Sequence, residues 1–153
     1  MRSVLLTLLL LATTCTCSAE WVQVSTDNGD KMLYDTDTVR YISHENTVDK
    51  DVLFTVSRID FGSKSKLALG LKDKKFKGSD YVVMQLLINP NLNKGFIEHM
   101  DYKDKSRKII YAENSQYAFS YSEDGMMYKL GKSLTEFTLL NDEYLSNKEK
   151  HKI

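Results

Sequence analysis

Three histidines are the side chains of this 153-residue chain best suited to acid–base chemistry or metal binding. His99 alone has carboxylates close by on both sides, those of Glu98 and Asp101. Successive side chains of a strand point to opposite faces, so His99 shares a face with Asp101 and not with Glu98. The pair has the chemistry to orient a base or bind a metal, but no third ligand or nucleophile follows at a readable spacing. We interpret it as a surface pair, with His44 in a polar turn and His151 in the C-terminal tail.

Two aspartate-rich segments resemble parts of a calcium-binding loop: DNGD at residues 27–30 and DTDT at residues 35–38. Neither continues to the bidentate glutamate that an EF-hand-type loop requires, so both are predicted as turns. The sequence also has no glycine-rich phosphate loop, nucleophile elbow or zinc-protease helix. We therefore predict a protein that is not an enzyme and that has no cofactor and no metal site.

Aromatic residues give the remaining chemical signal. Tyr117, Phe119 and Tyr121 alternate with small residues, which predicts that they share one face of a strand. Tyrosine combines a large ring with a polar tip and suits binding surfaces, although aromatic stripes of period two also serve sheet packing. We predict these three as candidate partner-binding residues. An alternative is a small-ligand pocket between sheet and helix, lined by the same three residues and Phe137.

Strands must position these side chains, because period-two alternation dominates the chain from residue 20 onward. Asn28-Gly29 predicts a type I′ hairpin turn between the first two strands. The alternating runs lie at residues 20–26, 31–35, 47–61, 80–89, 95–102, 107–112 and 116–122. Residues 62–78 are rich in glycine, serine and lysine and are predicted as a long loop, and Glu123-Asp124-Gly125 predicts a hairpin before a short strand at 126–130.

The period changes near the C-terminus. Ser133 and Glu136 form a capping box, which predicts that a helix starts there and runs toward the lysine-rich residues 148–152. Strands followed by one helix, without β–α alternation, predict an α+β fold. We expect an antiparallel sheet of about six strands packed by a C-terminal helix, with the only tryptophan, Trp21, in the core between them.

Residues 1–19 have the features of a cleaved secretory signal peptide. Arg2 precedes an apolar run at residues 4–12, too short to span a bilayer, and Cys17-Ser18-Ala19 suits cleavage before Glu20. Both cysteines lie in this leader, so the exported part has no thiol. We predict one domain at 20–147, a polar tail at 148–153 and no transmembrane segment. The balanced charge argues against nucleic-acid binding.

The start of the exported part resembles a known family. Glu20-Trp21-Val22-Gln23-Val24 follows the leader directly, and residues 34–39 (YDTDTV) give an aromatic–Asp–x–x–Thr–aliphatic pattern. This resembles the surface-adhesin protein E family of exported bacterial proteins. The resemblance implies a sheet packed by a C-terminal helix, host or envelope protein partners, and a homodimer. We therefore predict a periplasmic or cell-surface binding module, the alternative being a periplasmic small-ligand carrier or enzyme.

Overall fold

The computed structural model describes residues 20–114 and 116–153, so the predicted signal peptide at 1–19 lies outside the described residues. It has a largely antiparallel sheet and a long C-terminal helix, which confirms the α+β fold. The strands are β1 Trp21–Asp27, β2 Asp30–Asp35, β3 Arg40–His44, β4 Thr47–Asp60, β5 Tyr81–Asn89, β6 Lys94–Lys103, β7 Ile109–Glu113, β8 Tyr117–Ser120 and β9 His151–Lys152. The helices are α1 Ser63–Lys72 and α2 Met126–Asn147, with short 3₁₀ turns at Thr36–Thr38 and Lys74–Phe76.

Three long antiparallel strands, β4, β5 and β6, form the centre of the sheet. Each outer edge of this centre is shared by two shorter strands: β2 and β3 pair with β4, and β7 and β8 pair with β6. Among the described residues the sheet has nine strands, more than the six or so expected from the sequence: six follow the path β1-β2-β4-β5-β6-β7, and β3, β8 and β9 lie off it. The additional strands β3 and β9 had no counterpart among the alternating runs. The short β9 pairs in parallel with β3, so the C-terminal segment joins the sheet.

The turns that connect the first strands follow the sequence closely. Asn28 and Gly29 have φ values of 50° and 89°, the positive values that an Asn-Gly hairpin turn needs. The Asp35 carboxylate accepts the N–H of Asp37 at 3.0 Å, and the Thr38 hydroxyl donates to the Asp35 carbonyl at 2.7 Å. Both aspartate-rich segments are therefore turns, as predicted.

The core lies between one face of the sheet and α2. Leu130, Leu134 and Leu145 of the helix are fully buried, against Leu86 and Ile88 of β5 among others. Alternate residues of β5 face this core, which explains the period-two pattern of that strand. No helix of the described residues has the length and apolarity to cross a bilayer.

The prediction that the C-terminal helix starts at Ser133 was wrong, and so was the predicted strand at 126–130. The helix begins at Met126, after a turn in which Gly125 N–H donates to the Ser122 carbonyl at 3.3 Å. Leu130 and Leu134 are one helical turn apart and both enter the core, so packing carries the helix through the capping-box residues. Ser133 lies inside the helix, and the helix ends at Asn147.

The prediction of a long loop at residues 62–78 was also wrong, because α1 and a 3₁₀ turn fill this segment. No residue of α1 is fully buried. Asp30 attaches the start of the helix to the β1–β2 hairpin: its carboxylate accepts the Gly62 N–H and the Ser65 hydroxyl, both at 2.7 Å. Tertiary hydrogen bonds thus support a helix that has no buried apolar stripe.

Trp21 is half-buried and does not belong to the core, contrary to expectation. Val22 and Val24, on the opposite face of β1, are the residues that pack against the core cluster. The same alternation that forms the strand therefore turns the indole away from the helix.

Candidate functional site

The three predicted partner-binding residues lie together on one face of β8. Tyr117 is opposite Ile97 of β6, and Phe119 is opposite Gly95. The ring centroids of Tyr117 and Phe119 are 6.1 Å apart, and those of Phe119 and Tyr121 are also 6.1 Å apart. We call this row of three rings the aromatic ladder.

The middle of the aromatic ladder depends on a glycine. A Cβ atom at Gly95 would lie only 2.8 Å from Cε1 and 3.0 Å from Cε2 of Phe119. The Phe119 ring therefore occupies the space that any other residue at position 95 would need, as in aromatic covering of a strand glycine. The sequence pattern predicted the shared face but contained no signal for this partner on β6.

Burial decreases along the aromatic ladder toward its free end. Phe119 and Tyr121 are half-buried and pack against the core, whereas 55% of Tyr117 is exposed. Phe137, the fourth residue of the predicted pocket, lies elsewhere, edge-on to Tyr34 with ring centroids 6.3 Å apart. The structure thus presents Tyr117 to solvent on a support of two fixed rings.

The backbone of β8 is open on one side. Among the described strands β8 pairs only with β6, and β7 lies next to it along the same edge. Residues 114–122 (NSQYAFSYS) contain no charged residue and no proline, although 27% of the chain is charged. Ala118 and Ser120, on the face opposite the aromatic ladder, are small and exposed. Alternate N–H and C=O groups of such an edge point away from the sheet and are accessible to another strand.

A cleft lies at the buried end of the aromatic ladder. It has a volume of about 260 Å³ and separates α2 from the turn after β5, with Pro90, Tyr121, Tyr128 and Gly131 among its lining residues. The Tyr121 hydroxyl is buried and has no hydrogen-bond partner among the described residues. Burial raises the pKa of this hydroxyl, which stays neutral and available as a donor. Tyr121 is the one residue of the predicted pocket that lines this cleft.

Two of the three histidines, His99 and His151, form separate pairs on the sheet. His99 Nε2 lies 2.9 Å from Asp101 Oδ1, as the strand spacing predicts, and His99 Nδ1 lies 2.6 Å from Asn114 Oδ1. His151 Nε2 lies 3.1 Å from Oε2 of Glu98, and the His151 ring stacks on the ring of Phe54 with centroids 4.0 Å apart. Within residues 20–114 and 116–153, no group of three or more acidic or histidine side chains is arranged to hold a metal ion. These pairs fasten Asn114, directly after β7, and the C-terminal segment to the sheet.

Comparison of the chain with protein-family models, curated proteins and solved structures gives no match. The resemblance to the surface-adhesin protein E family therefore rests on sequence motifs, chiefly residues 20–24 and 34–39, and stays a prediction.

Proposed function

We propose that this chain is an exported binding module that holds a protein partner along the β7–β8 edge, with Tyr117 as the side-chain anchor. The observation that carries the proposal is an uncharged, aromatic edge strand with no neighbour on its outer side among the described residues. No catalytic step is part of the proposal.

Natural sheets protect their edges with charged side chains, prolines or covering elements. Residues 114–122 have neither charge nor proline, and Ala118 leaves room for an approaching backbone. An added strand would use the outward N–H and C=O groups of β8 for affinity, and side-chain contacts would set its specificity. Because Phe119 and Tyr121 are held by the core, Tyr117 loses little freedom on binding, which favours affinity.

The proposed partner is a host or envelope protein, or a second copy of the chain paired edge to edge. The signal peptide predicted at 1–19 supports a periplasmic or cell-surface location. The resemblance to a family of dimeric adhesins is consistent with either partner. Either partner could pair with the chain only if the open edge of β8 is accessible.

The test is site-specific photo-crosslinking in cells of the source organism, with the crosslinker at position 117. We expect discrete crosslinked products, either with one other protein or at the mass of a dimer. Ala118→Lys, which places a charge on the open strand, should abolish them, whereas Gln23→Lys on the opposite edge strand, β1, should not. A crosslinker at exposed Leu139 of α2 is the control for non-specific capture. Equal products from positions 117 and 139, or none from 117, would contradict the proposal.

A small-ligand carrier is the second candidate, favoured by the unpartnered Tyr121 hydroxyl in its cleft. The volume of about 260 Å³ is below the range of about 300–1,000 Å³ typical of drug-sized ligand sites, so only a small polar metabolite fits. Amide NMR spectra recorded with a set of such metabolites should show shifts at Tyr128 and Gly131 that Tyr121→Phe removes. Spectra unchanged at these positions across the set would eliminate this candidate.

A further inference from the structure

Two adjoining segments at one end of the sheet are rich in positive charge. Residues 63–80, which include α1, and residues 103–108, the β6–β7 turn, contain ten basic side chains and three acidic ones, a net charge of +7. Residues 20–153 as a whole have 20 basic and 21 acidic residues, so the rest of this part is net −8. We call residues 63–80 and 103–108 the basic end.

The two segments of the basic end form one surface. Asp80 accepts the N–H of Lys105 at 2.9 Å and pairs with Lys66 of α1, so it joins the β6–β7 turn to the helix. The ring centroid of Phe76 lies 4.6 Å from that of Tyr102 and 5.4 Å from that of Tyr111, which it meets edge-on. These contacts, with the Asp30 anchor, hold the surface in a fixed shape.

Leucines are exposed in the middle of this charge. Leu67 is 66% exposed and Leu71 is 78% exposed, one turn apart on α1. With Gly70 they line a groove of about 490 Å³ whose other walls include Lys74 and Lys77. An apolar patch rimmed by polar side chains is the composition of an interaction site, and these two leucines walled by lysines have it.

Four lysines on the α1 side of the basic end, residues 63–80, are free to meet an anion. Lys66 and Lys75 already pair, with Asp80 and Asp73. Within residues 63–80, the four that make no ion pair with the described residues are Lys64, Lys72, Lys74 and Lys77.

We infer that the basic end docks on an anionic phospholipid surface. Lysines near such a surface are attracted to its phosphates, and leucines between them enter the boundary of the acyl chains. A nucleic acid fits less well, because its phosphate backbone offers leucine no partner and the Phe76 ring is packed away from any base. The equally exposed Leu139 and Leu140 of α2 stand next to Glu136 and Glu143, which an anionic surface repels.

The test is flotation of the purified protein with vesicles, either pure phosphatidylcholine or equal parts of phosphatidylcholine and phosphatidylglycerol. We expect binding to the anionic vesicles only, weakened by added salt. Lys74→Gln with Lys77→Gln should lower the affinity about five-fold per lysine. Leu67→Ser with Leu71→Ser should lower it about ten-fold or more, because both leucines lose their apolar contact.

Matched variants on α2 control for general effects of charge and hydrophobicity. Lys129→Gln with Lys132→Gln, and Leu139→Ser with Leu140→Ser, should leave vesicle binding unchanged. The substituted side chains of the basic end are exposed, so thermal unfolding should be unchanged in every variant. Ala118→Lys should also bind vesicles normally, which separates this inference from the strand-addition proposal.

Leu71→Trp in a Trp21→Phe background reports insertion directly. Its fluorescence should shift to the blue with anionic vesicles and not with neutral ones. Equal binding to both vesicle types, loss of binding in the α2 variants, or no effect of the leucine pair would overturn the inference. The last result, combined with binding to DNA of similar affinity, would identify a general polyanion site instead.

Discussion

Replacing Gly95 with alanine tests the packing of the aromatic ladder. The new methyl group would lie 2.8 Å from Phe119 Cε1, where ordinary contacts begin at about 3.4 Å, so the ring must move. Overpacking of this kind costs about 1–3 kcal/mol. Alanine also recovers about 0.5–1 kcal/mol that glycine loses in a strand. We therefore expect Gly95→Ala to lower the free energy of unfolding by about 1 kcal/mol, and by no more than about 2.5 kcal/mol.

A double-mutant cycle with Phe119→Ala separates this clash from other effects. Without the ring, the extra methyl meets no obstacle, so Gly95→Ala should be neutral or should stabilise by about 0.5 kcal/mol. Urea unfolding followed by far-ultraviolet circular dichroism measures all four proteins. The cycle has its own control, since each single substitution is compared in two backgrounds. The same cost in both backgrounds would mean that Phe119 does not cover Gly95, and the support proposed for Tyr117 would fail with it.

Three further predictions concern the elements around the site. Leu134→Ala, at a fully buried position of α2, should lower the free energy of unfolding by about 2–5 kcal/mol in urea titrations, and a smaller loss would contradict the helix register. Asp30→Ala should speed amide hydrogen exchange in α1 but not in α2, and uniform exchange rates would rule out the anchor. Burial and the Asp142 carboxylate, 2.6 Å away, raise the pKa of the Tyr41 hydroxyl to about 12. This group therefore stabilises the fold below pH 10 and loses that contribution between pH 10 and 12, a loss that unfolding curves of Tyr41→Phe should lack.

Elements whose core contacts follow a simple period could be predicted from the sequence. Residues 80–89 alternate because every second side chain of β5 enters the core, and the structure places a strand at Tyr81–Asn89. Asn28-Gly29 fixes its turn locally through positive φ values, so the first hairpin needed no tertiary information.

Elements that depend on contacts between distant parts of the chain could not be predicted from the sequence. The start of α1 is held to the β1–β2 hairpin by Asp30, which lies more than thirty residues earlier in the chain. The exposed leucines of α1 do not form a buried apolar face, so the sequence has no amphipathic pattern that would predict the helix. At the other end of the chain, two local signals conflicted: a turn motif before Met126 and a capping box at Ser133. The buried pair Leu130 and Leu134 decides between them, because a helix starting at Ser133 would leave Leu130 outside the core-facing turn.

The candidate site also has one feature that the sequence predicted and others that it did not. Alternation placed Tyr117, Phe119 and Tyr121 on one face, since period two is a local property of any strand. Their unequal burial, and the absence of Phe137 from the group, depend on where α2 packs across the sheet.

The two proposed binding surfaces lie on β8 and α1, two elements that contribute little to the core. No residue of β8 or α1 is fully buried, so packing alone does not account for the uncharged edge or for leucines set among lysines. A solvated helix without a partner is expected to be polar on its outer face, and a bare edge strand is expected to carry charge. Both segments depart from these expectations. The edge strand β8 is uncharged and aromatic, and the exposed face of α1 carries leucines among its lysines. Because each departure exposes side chains that fit a different kind of partner, we propose that the two surfaces act together, with β8 binding a protein while α1 rests on a lipid surface.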